Sequence, residues 1–227
     1  FVALSPGTGV DAGNWYTEAG VTLLLDSDTL NYQVLARDTL ISEVFNSLGC
    51  VNYDTIIVDV FDLPQPDLGA DTAICFQELI ALQPGMLFDS TNWYTLGGDT
   101  LQLGADTLNY QVLVTDTLIT EVFNANACVN YDTIIVTVID LPQPDLGADT
   151  AICFHEMIEL RPGTGFDSVN WYTLAGTTLQ LDTDTLNYQV LSRDTLISEV
   201  FNALGCVNYD TMVVDVLQLP VFDLGAD

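Results

Sequence analysis

DTLNYQVLVTDTLITEVFNANACVNYDTIIVTVID occupies residues 106–140, and its patterning decides the fold class. TLNYQVLV (Thr107–Val114) and TLITEVFN (Thr117–Asn124) are β-branched and aromatic runs split by Asp116. TIIVTVI (Thr133–Ile139) alternates cleanly. Successive side chains of a strand point to opposite faces, so such runs read as strands and the Asp-rich breaks between them as turns. Upstream, ELIALQPG (Glu78–Gly85) reads as a strand ending in a Pro-Gly turn, and TNWYTL (Thr91–Leu96) as a strand stopped by Gly97-Gly98. No segment keeps a helical 3.6-residue period for more than about two turns. The class is all-β.

The same strings recur. Trp15, Trp93 and Trp171 are 78 residues apart, as are Cys50, Cys128 and Cys206, and Cys75 and Cys153 repeat at the same interval. NWYT, DTLNYQVL, CVNYDT and DLGAD return in step. A 78-residue period is too long for a solenoid coil or a propeller blade and suits a small β-sandwich repeated in tandem. The expected division is 1–62 (lacking its opening segment), 63–140, 141–218, and 219–227 as the start of another unit. The ragged register predicts a portion of a longer array. LPQPDLGAD (Leu141–Asp149) is the linker, stiffened by two prolines and short enough that neighbouring domains are expected end to end. Trp93 is expected in the core, on the strand where Ig-like sandwiches carry a buried tryptophan.

Composition narrows the function classes. Asp and Glu total 32 against three arginines (Arg37, Arg161 and Arg193), with no lysine and a formal net charge of −29. Nucleic-acid binding needs clustered Lys or Arg, so it is excluded as a natural role, and docking on anionic lipid is disfavoured for the same reason. No apolar run approaches the length of a membrane-spanning helix, so no direct membrane insertion is expected. Hydrophobic residues make up 49% of the chain, which argues for folded domains rather than disorder.

The five cysteines allow two frameworks. Cys75 and Cys128 lie 53 residues apart, as do Cys153 and Cys206, so each domain can carry its own disulfide, with Cys50 pairing to a cysteine upstream of Phe1. Closing a loop of that size stabilises by roughly 4 kcal/mol in the chain-entropy model. The rival connectivity, Cys50–Cys75 and Cys128–Cys153, would staple successive domains. Sequence alone does not choose between them, although the first gives every domain its own staple. A zinc site is a weaker third reading because no CxxC spacing occurs. Disulfides imply an extracytoplasmic protein.

DLGADTAIC, NWYT, GCVNYDT and the final alternating strand together resemble the Ig-like or PKD-like tandem repeats of giant secreted surface proteins of Bacteroidota. The resemblance spans the whole chain. It departs at the closing turn, where SLGC, ANAC and ALGC stand in place of the usual NGC. It implies an extracellular cell-surface appendage exported by the type IX route, of the gliding-adhesin or grappling-hook type. It also implies O-glycan acceptors at Asp-Thr and Asp-Ser steps: Thr29, Thr39, Thr55, Thr72, Ser90, Thr100, Thr107, Thr117, Thr133, Thr150, Ser168, Thr185, Thr195 and Thr211. The plain alternative is that Asp ends a turn and Thr or Ser begins a strand.

No catalytic constellation stands out. His155 is the only histidine, and Gln77 holds its place one repeat earlier. His155-Glu156 begins like a zinc-protease motif, but Glu159 stands where the second histidine belongs. The expectation is no enzyme. The acids offer one sharper idea. Asp62, Asp67 and Asp71, then Asp140, Asp145 and Asp149, flank the junctions and could hold calcium, with Asp54 and Asp132 as further oxygen donors. Solvation and turn chemistry explain the same residues more simply. The leading functional expectation is a structural segment of an extracellular filament, stalk or adhesin, whose partners include copies of itself. The alternatives are a glycan- or surface-binding module, with Tyr131 at a turn as its best aromatic, and an accessory repeat of a secreted hydrolase.

Overall fold

The computed structural model describes residues 1–8, 10–27 and 29–222, so the expected opening of a further unit at Asp223–Asp227 lies outside the described residues. Among the described residues every regular element is a strand. The first repeat contains β1 (Val2–Leu4), β2 (Ala12–Thr17), β3 (Thr22–Leu24), β4 (Leu30–Tyr32), β5 (Asp38–Phe45) and β6 (Val51–Val58). The second contains β7 (Thr72–Cys75), β8 (Leu79–Leu82), β9 (Ser90–Thr95), β10 (Thr100–Leu103), β11 (Leu108–Gln111), β12 (Asp116–Phe123) and β13 (Val129–Ile139). The third contains β14 (Thr150–Cys153), β15 (Met157–Leu160), β16 (Ser168–Thr173), β17 (Thr178–Gln180), β18 (Leu186–Gln189), β19 (Asp194–Phe201) and β20 (Val207–Leu217).

The third repeat sets the pattern. A five-stranded sheet runs in the order β14-β20-β19-β16-β17, faced by the pair β15-β18. All pairings are antiparallel except β14 on β20, which run parallel with Thr150 opposite Val214 and Cys153 opposite Leu217. This is an Ig-like sandwich. The second repeat has the same order, β10-β9-β12-β13-β7 over β11-β8. In the first, the described residues form β3-β2-β5-β6 over β1-β4. By compactness, Phe1–Gln65 with Phe123–Asn130 form one unit, and Pro66–Val122 with Tyr131–Asp227 form the other.

Alternation produces the cores. SVNWYT in β16 buries Val169, Trp171 and Thr173 and turns Asn170 and Tyr172 outward. Trp171 is wholly buried among Leu160, Leu186, Leu196 and Val214, and its indole Nε1 donates to Thr183 O at 2.8 Å. Trp93 repeats this with Ala105 O at 2.8 Å and Trp15 with Ser27 O at 3.0 Å. The tryptophan thus fills the core while its one polar atom stays satisfied.

The strands differ from the sequence reading in three places. β13 begins at Val129, so Tyr131 lies within a strand and not at a turn. β7 and β10, four residues each, were not visible as strands because so short a run carries little alternation. β11 ends at Gln111 rather than running to Val114.

Candidate functional site at the repeat junction

The linker between the second and third repeats is held by groups at one end of the third sandwich. Asn202 Nδ2 donates to Asp140 O at 3.2 Å, and Asn208 Nδ2 donates to Pro142 O at 2.8 Å. Asp145 N donates to Pro162 O at 2.9 Å. Leu146 then turns into the third core, 7% exposed, while its amide donates to Asp210 Oδ2 at 2.6 Å. Gly147 takes a left-handed φ of 80°, open to glycine at no steric cost, which lets its amide reach Asp145 Oδ1 at 2.8 Å. Finally Val213 N donates to Asp149 Oδ1 at 2.9 Å and locks the segment along β20. DLGAD is therefore a docking plug: an apolar knob flanked by carboxylates that satisfy backbone amides.

The same bonds recur one repeat earlier. Leu68 N donates to Asp132 Oδ2 at 2.7 Å, Gly69 N to Asp67 Oδ1 at 2.8 Å and Ile135 N to Asp71 Oδ1 at 2.9 Å. Asn124 Nδ2 and Asn130 Nδ2 donate to Asp62 O and Pro64 O. These four asparagines were missed in the sequence; their strict recurrence was the available signal. The junction aspartates expected as calcium ligands take part in these backbone bonds. Asp67, Asp71, Asp145 and Asp149 accept backbone amides, and Asp62 and Asp140 contribute carbonyls. Among the described residues no three acids, histidines or cysteines gather to hold a metal.

The disulfide at this junction corrects the pairing expected within a repeat. Cys75 bonds Cys206, 131 residues away, with Cα atoms 5.5 Å apart. The reason is strand direction. Cys153 lies opposite Leu217, the last residue of β20, whereas Cys206 immediately precedes the first. Eleven residues at about 3.3 Å each separate them by roughly 35 Å, far beyond the Cα separation a disulfide tolerates. Cys75 likewise lies opposite Ile139, the last residue of β13. The second and third repeats therefore carry their two cysteines at opposite ends, and the bridge runs from one to the other. The Cys50–Cys75 and Cys128–Cys153 alternative does not form either, since Cys50, Cys128 and Cys153 are free.

A second recurrent feature lies on the outer face of each larger sheet. Glu199 Oε2 accepts from Asn170 Nδ2 at 2.9 Å and Tyr172 OH at 3.1 Å, and its Oε1 accepts from Tyr209 OH at 2.8 Å. Glu121 does the same with Asn92, Tyr94 and Tyr131, and Glu43 with Asn14, Tyr16 and Tyr53. Burial pushes the Glu199 carboxyl up, but the bonds from Asn170, Tyr209 and Tyr172 outweigh it and hold the group below its ordinary value. Hydrogen bonding chiefly from Asn92 lowers Glu121, and chiefly from Tyr53 lowers Glu43. The tyrosines move the other way. Tyr53, Tyr131 and Tyr209 are raised mainly because each donates to its glutamate. The alternating N-Y pair outside the tryptophan face could have revealed this cluster in the sequence.

The remaining predicted positions are dispersed. His155 is exposed on a left-handed turn (φ 72°) with its ring 3.9 Å from that of Phe154, and Glu156 accepts the Cys153 amide at 2.9 Å. Of the Asp-Thr and Asp-Ser positions, Thr29, Thr55, Thr100, Thr133, Thr150 and Thr211 are exposed. Thr39, Thr72, Ser90, Thr107, Thr117, Ser168, Thr185 and Thr195 are half-buried. At Thr39, Thr117 and Thr195 the threonine amide donates to the preceding aspartate, the turn chemistry of a strand start.

No protein-family model and no curated protein matches the chain. Among solved structures it is similar to the titin domains I67–I69 at 12% identity, covering 92% of this chain and 88% of that one, with a TM-score of 0.44. It is similar to fibronectin(III)-like modules of Clostridium thermocellum CbhA at 10% identity, covering 69% and 96%, TM-score 0.35. A Bacteroides ovatus mixed-linkage glucan utilization protein, SGBP-B, solved with a heptasaccharide, matches at 16% identity, covering 96% and 63%, TM-score 0.23. The first two are Ig domains and fibronectin(III)-like modules by their own description.

Proposed function

We propose that this chain is a load-bearing segment of a long, repetitive extracellular stalk, filament or adhesin used in surface attachment or capture. The observation that carries the reading is the Cys75–Cys206 bridge between successive repeats. A tension applied along the backbone enters at Cys75 and leaves at Cys206 through one disulfide. Everything from β8 to β19 lies off that path. The segment between the two cysteines, a sequence separation of 131, cannot extend while the bond holds, which withholds about 450 Å of contour at the usual reach per residue. Such a bond persists in an oxidising, extracytoplasmic compartment.

Single-molecule pulling of the chain from its two ends tests this. In oxidising buffer the total extension should fall short of that in reducing buffer by about 450 Å, the contour closed by the bridge. Equal extensions in both buffers would sink the reading.

The recurrent Asn-Tyr-Glu-Tyr face supports a second reading, recognition of a glycan or another surface. Tyr53, Tyr131 and Tyr209 are exposed and stand beside an amide and a carboxylate. Glycan-array binding lost in Tyr131→Ala and Tyr209→Ala would favour it.

A further inference from the structure

A cleft of about 400 Å³ opens where the second repeat runs into the linker. Phe76, Gln77, Asp140, Leu141 and Gln143 line it. Phe76 and Leu141 are half-buried, and the other three are exposed. Clefts that hold small molecules span roughly 300–1,000 Å³, and domain junctions are a preferred place for them.

The walls are fixed before anything binds. Phe76 and Gln77 are the central residues of the turn between β7 and β8. Glu78 N closes that turn on Cys75 O at 3.0 Å, and the Glu78 carboxylate accepts the Cys75 amide at 2.8 Å. Phe76 N donates to Ile139 O at 2.8 Å, which ties the turn to the end of β13. Cys75 itself carries the bridge to Cys206. The linker wall is braced by Asn202 and Asn208, which donate to Asp140 O and Pro142 O. A preformed wall spares a ligand the entropy of ordering loops.

The bonds that hold Gln77 and Asp140 run through main-chain oxygens. Gln111 Nε2 donates to Gln77 O at 2.6 Å, and Asn202 Nδ2 to Asp140 O at 3.2 Å. The Gln77 amide and the Asp140 carboxylate are thereby left for a ligand. Gln77 also stands at φ 70° in the third position of its turn, where glycine would sit at lower cost. A polar side chain is thus kept at a strained position that lines the cleft.

Ligand classes can be weighed against this lining. An anion meets a net charge of −29 and no basic side chain in the cleft. A cation finds one solvent-exposed carboxylate, and a single exposed ion pair is weak. An apolar ligand would strip water from Asp140 and Gln77 without replacing their hydrogen bonds. A neutral saccharide suits all three groups. Its C–H face packs on the Phe76 ring, and its hydroxyls donate to the carboxylate and exchange donors and acceptors with the amide.

We propose that this cleft is a binding site for a neutral saccharide, with Phe76 as the stacking platform and Gln77 and Asp140 as the hydrogen-bonding partners. It is separate from the Asn-Tyr-Glu-Tyr face, and the load path through Cys75–Cys206 stands whether or not the cleft is filled.

The test is an NMR titration of the isotope-labelled 227-residue chain with cellobiose, maltose, mannobiose and diacetylchitobiose. A single open cleft predicts dissociation constants of about 1 mM or weaker. At least one of the four sugars should shift the Gln77 side-chain amide and the main-chain amides of Phe76 and Leu141. Gln77→Gly removes the side chain while relieving the left-handed backbone, so the fold is kept and binding should fall about tenfold. Asp140→Ala should weaken binding by a similar factor, whereas Tyr131→Ala and Tyr209→Ala should leave it unchanged. Shifts from none of the four sugars, shifts confined to the Tyr131 and Tyr209 face, or binding that survives Gln77→Gly or Asp140→Ala would each overturn the proposal.

Discussion

Replacing Cys206 with serine separates the two cysteine frameworks. The Cys75–Cys206 bond closes a loop of 131 residues. The chain-entropy relation, with that loop length, gives a destabilisation of about 5 kcal/mol at 25 °C when the bond is lost. Urea unfolding followed by tryptophan fluorescence reads this directly, since Trp93 and Trp171 sit in the two bridged cores. Cys75→Ser should match Cys206→Ser, and the double variant should be no worse than either, because both single changes remove one bond. Cys128→Ser and Cys153→Ser should stay within about 0.5 kcal/mol of the parent, as changes at thiols that hold nothing. If Cys128→Ser instead matched Cys75→Ser, and Cys206→Ser added fully to it, pairing would lie within each repeat and the load-path argument would fail.

Further outcomes follow from the same geometry. Glu43, Glu121 and Glu199 titrate below the ordinary 4.5 when folded, so their contribution is complete above that value and disappears as pH falls through the depressed one. Melting temperature should therefore drop below about pH 4.5, and less steeply in Glu121→Gln and Glu199→Gln, as calorimetry across pH would show. The partner tyrosines titrate above 10 when folded, so their share is present below pH 10 and lost as pH rises past the raised value. Trp171→Ala should cost about 3–5 kcal/mol in denaturant unfolding, since a wholly buried indole leaves a cavity in the third core. Asp210→Ala should cost about 1–3 kcal/mol by leaving the Leu146 amide without its acceptor, and hydrogen exchange should show that amide losing protection first.

How much of this was legible beforehand depends on the range of the interaction involved. Strand positions with strong alternation, such as 90–95 and 116–123, declare themselves because each side chain's face follows from its place in the chain. β7 does not, since four residues acquire strand character only by pairing with β13. The junction aspartates were legible as recurrent acids, but their task was not. Asp210 and Asp149 find their partners 64 residues away, so the amides they satisfy are invisible until the sheets are assembled. Tyr131 was placed at a turn because CVNYD looks like one, and the extension of β13 moved it onto the sheet face beside Glu121.

Periodicity in the sequence was enough to determine the all-β class, the repeat unit, the buried tryptophans and the equivalence of every cysteine with its counterpart one repeat on. All of these depend on local alternation or on counting. Which cysteine bonds which was decided only by the tertiary structure. Equivalence says nothing about ends, and the 53-residue spacing within a repeat looked like a natural loop. Only when β14 lies parallel to β20, with Cys153 at its far end and Cys206 at its near one, does that pairing become too long to form. The same geometry leaves the bond from Cys75 to Cys206, across the junction, as the one within reach.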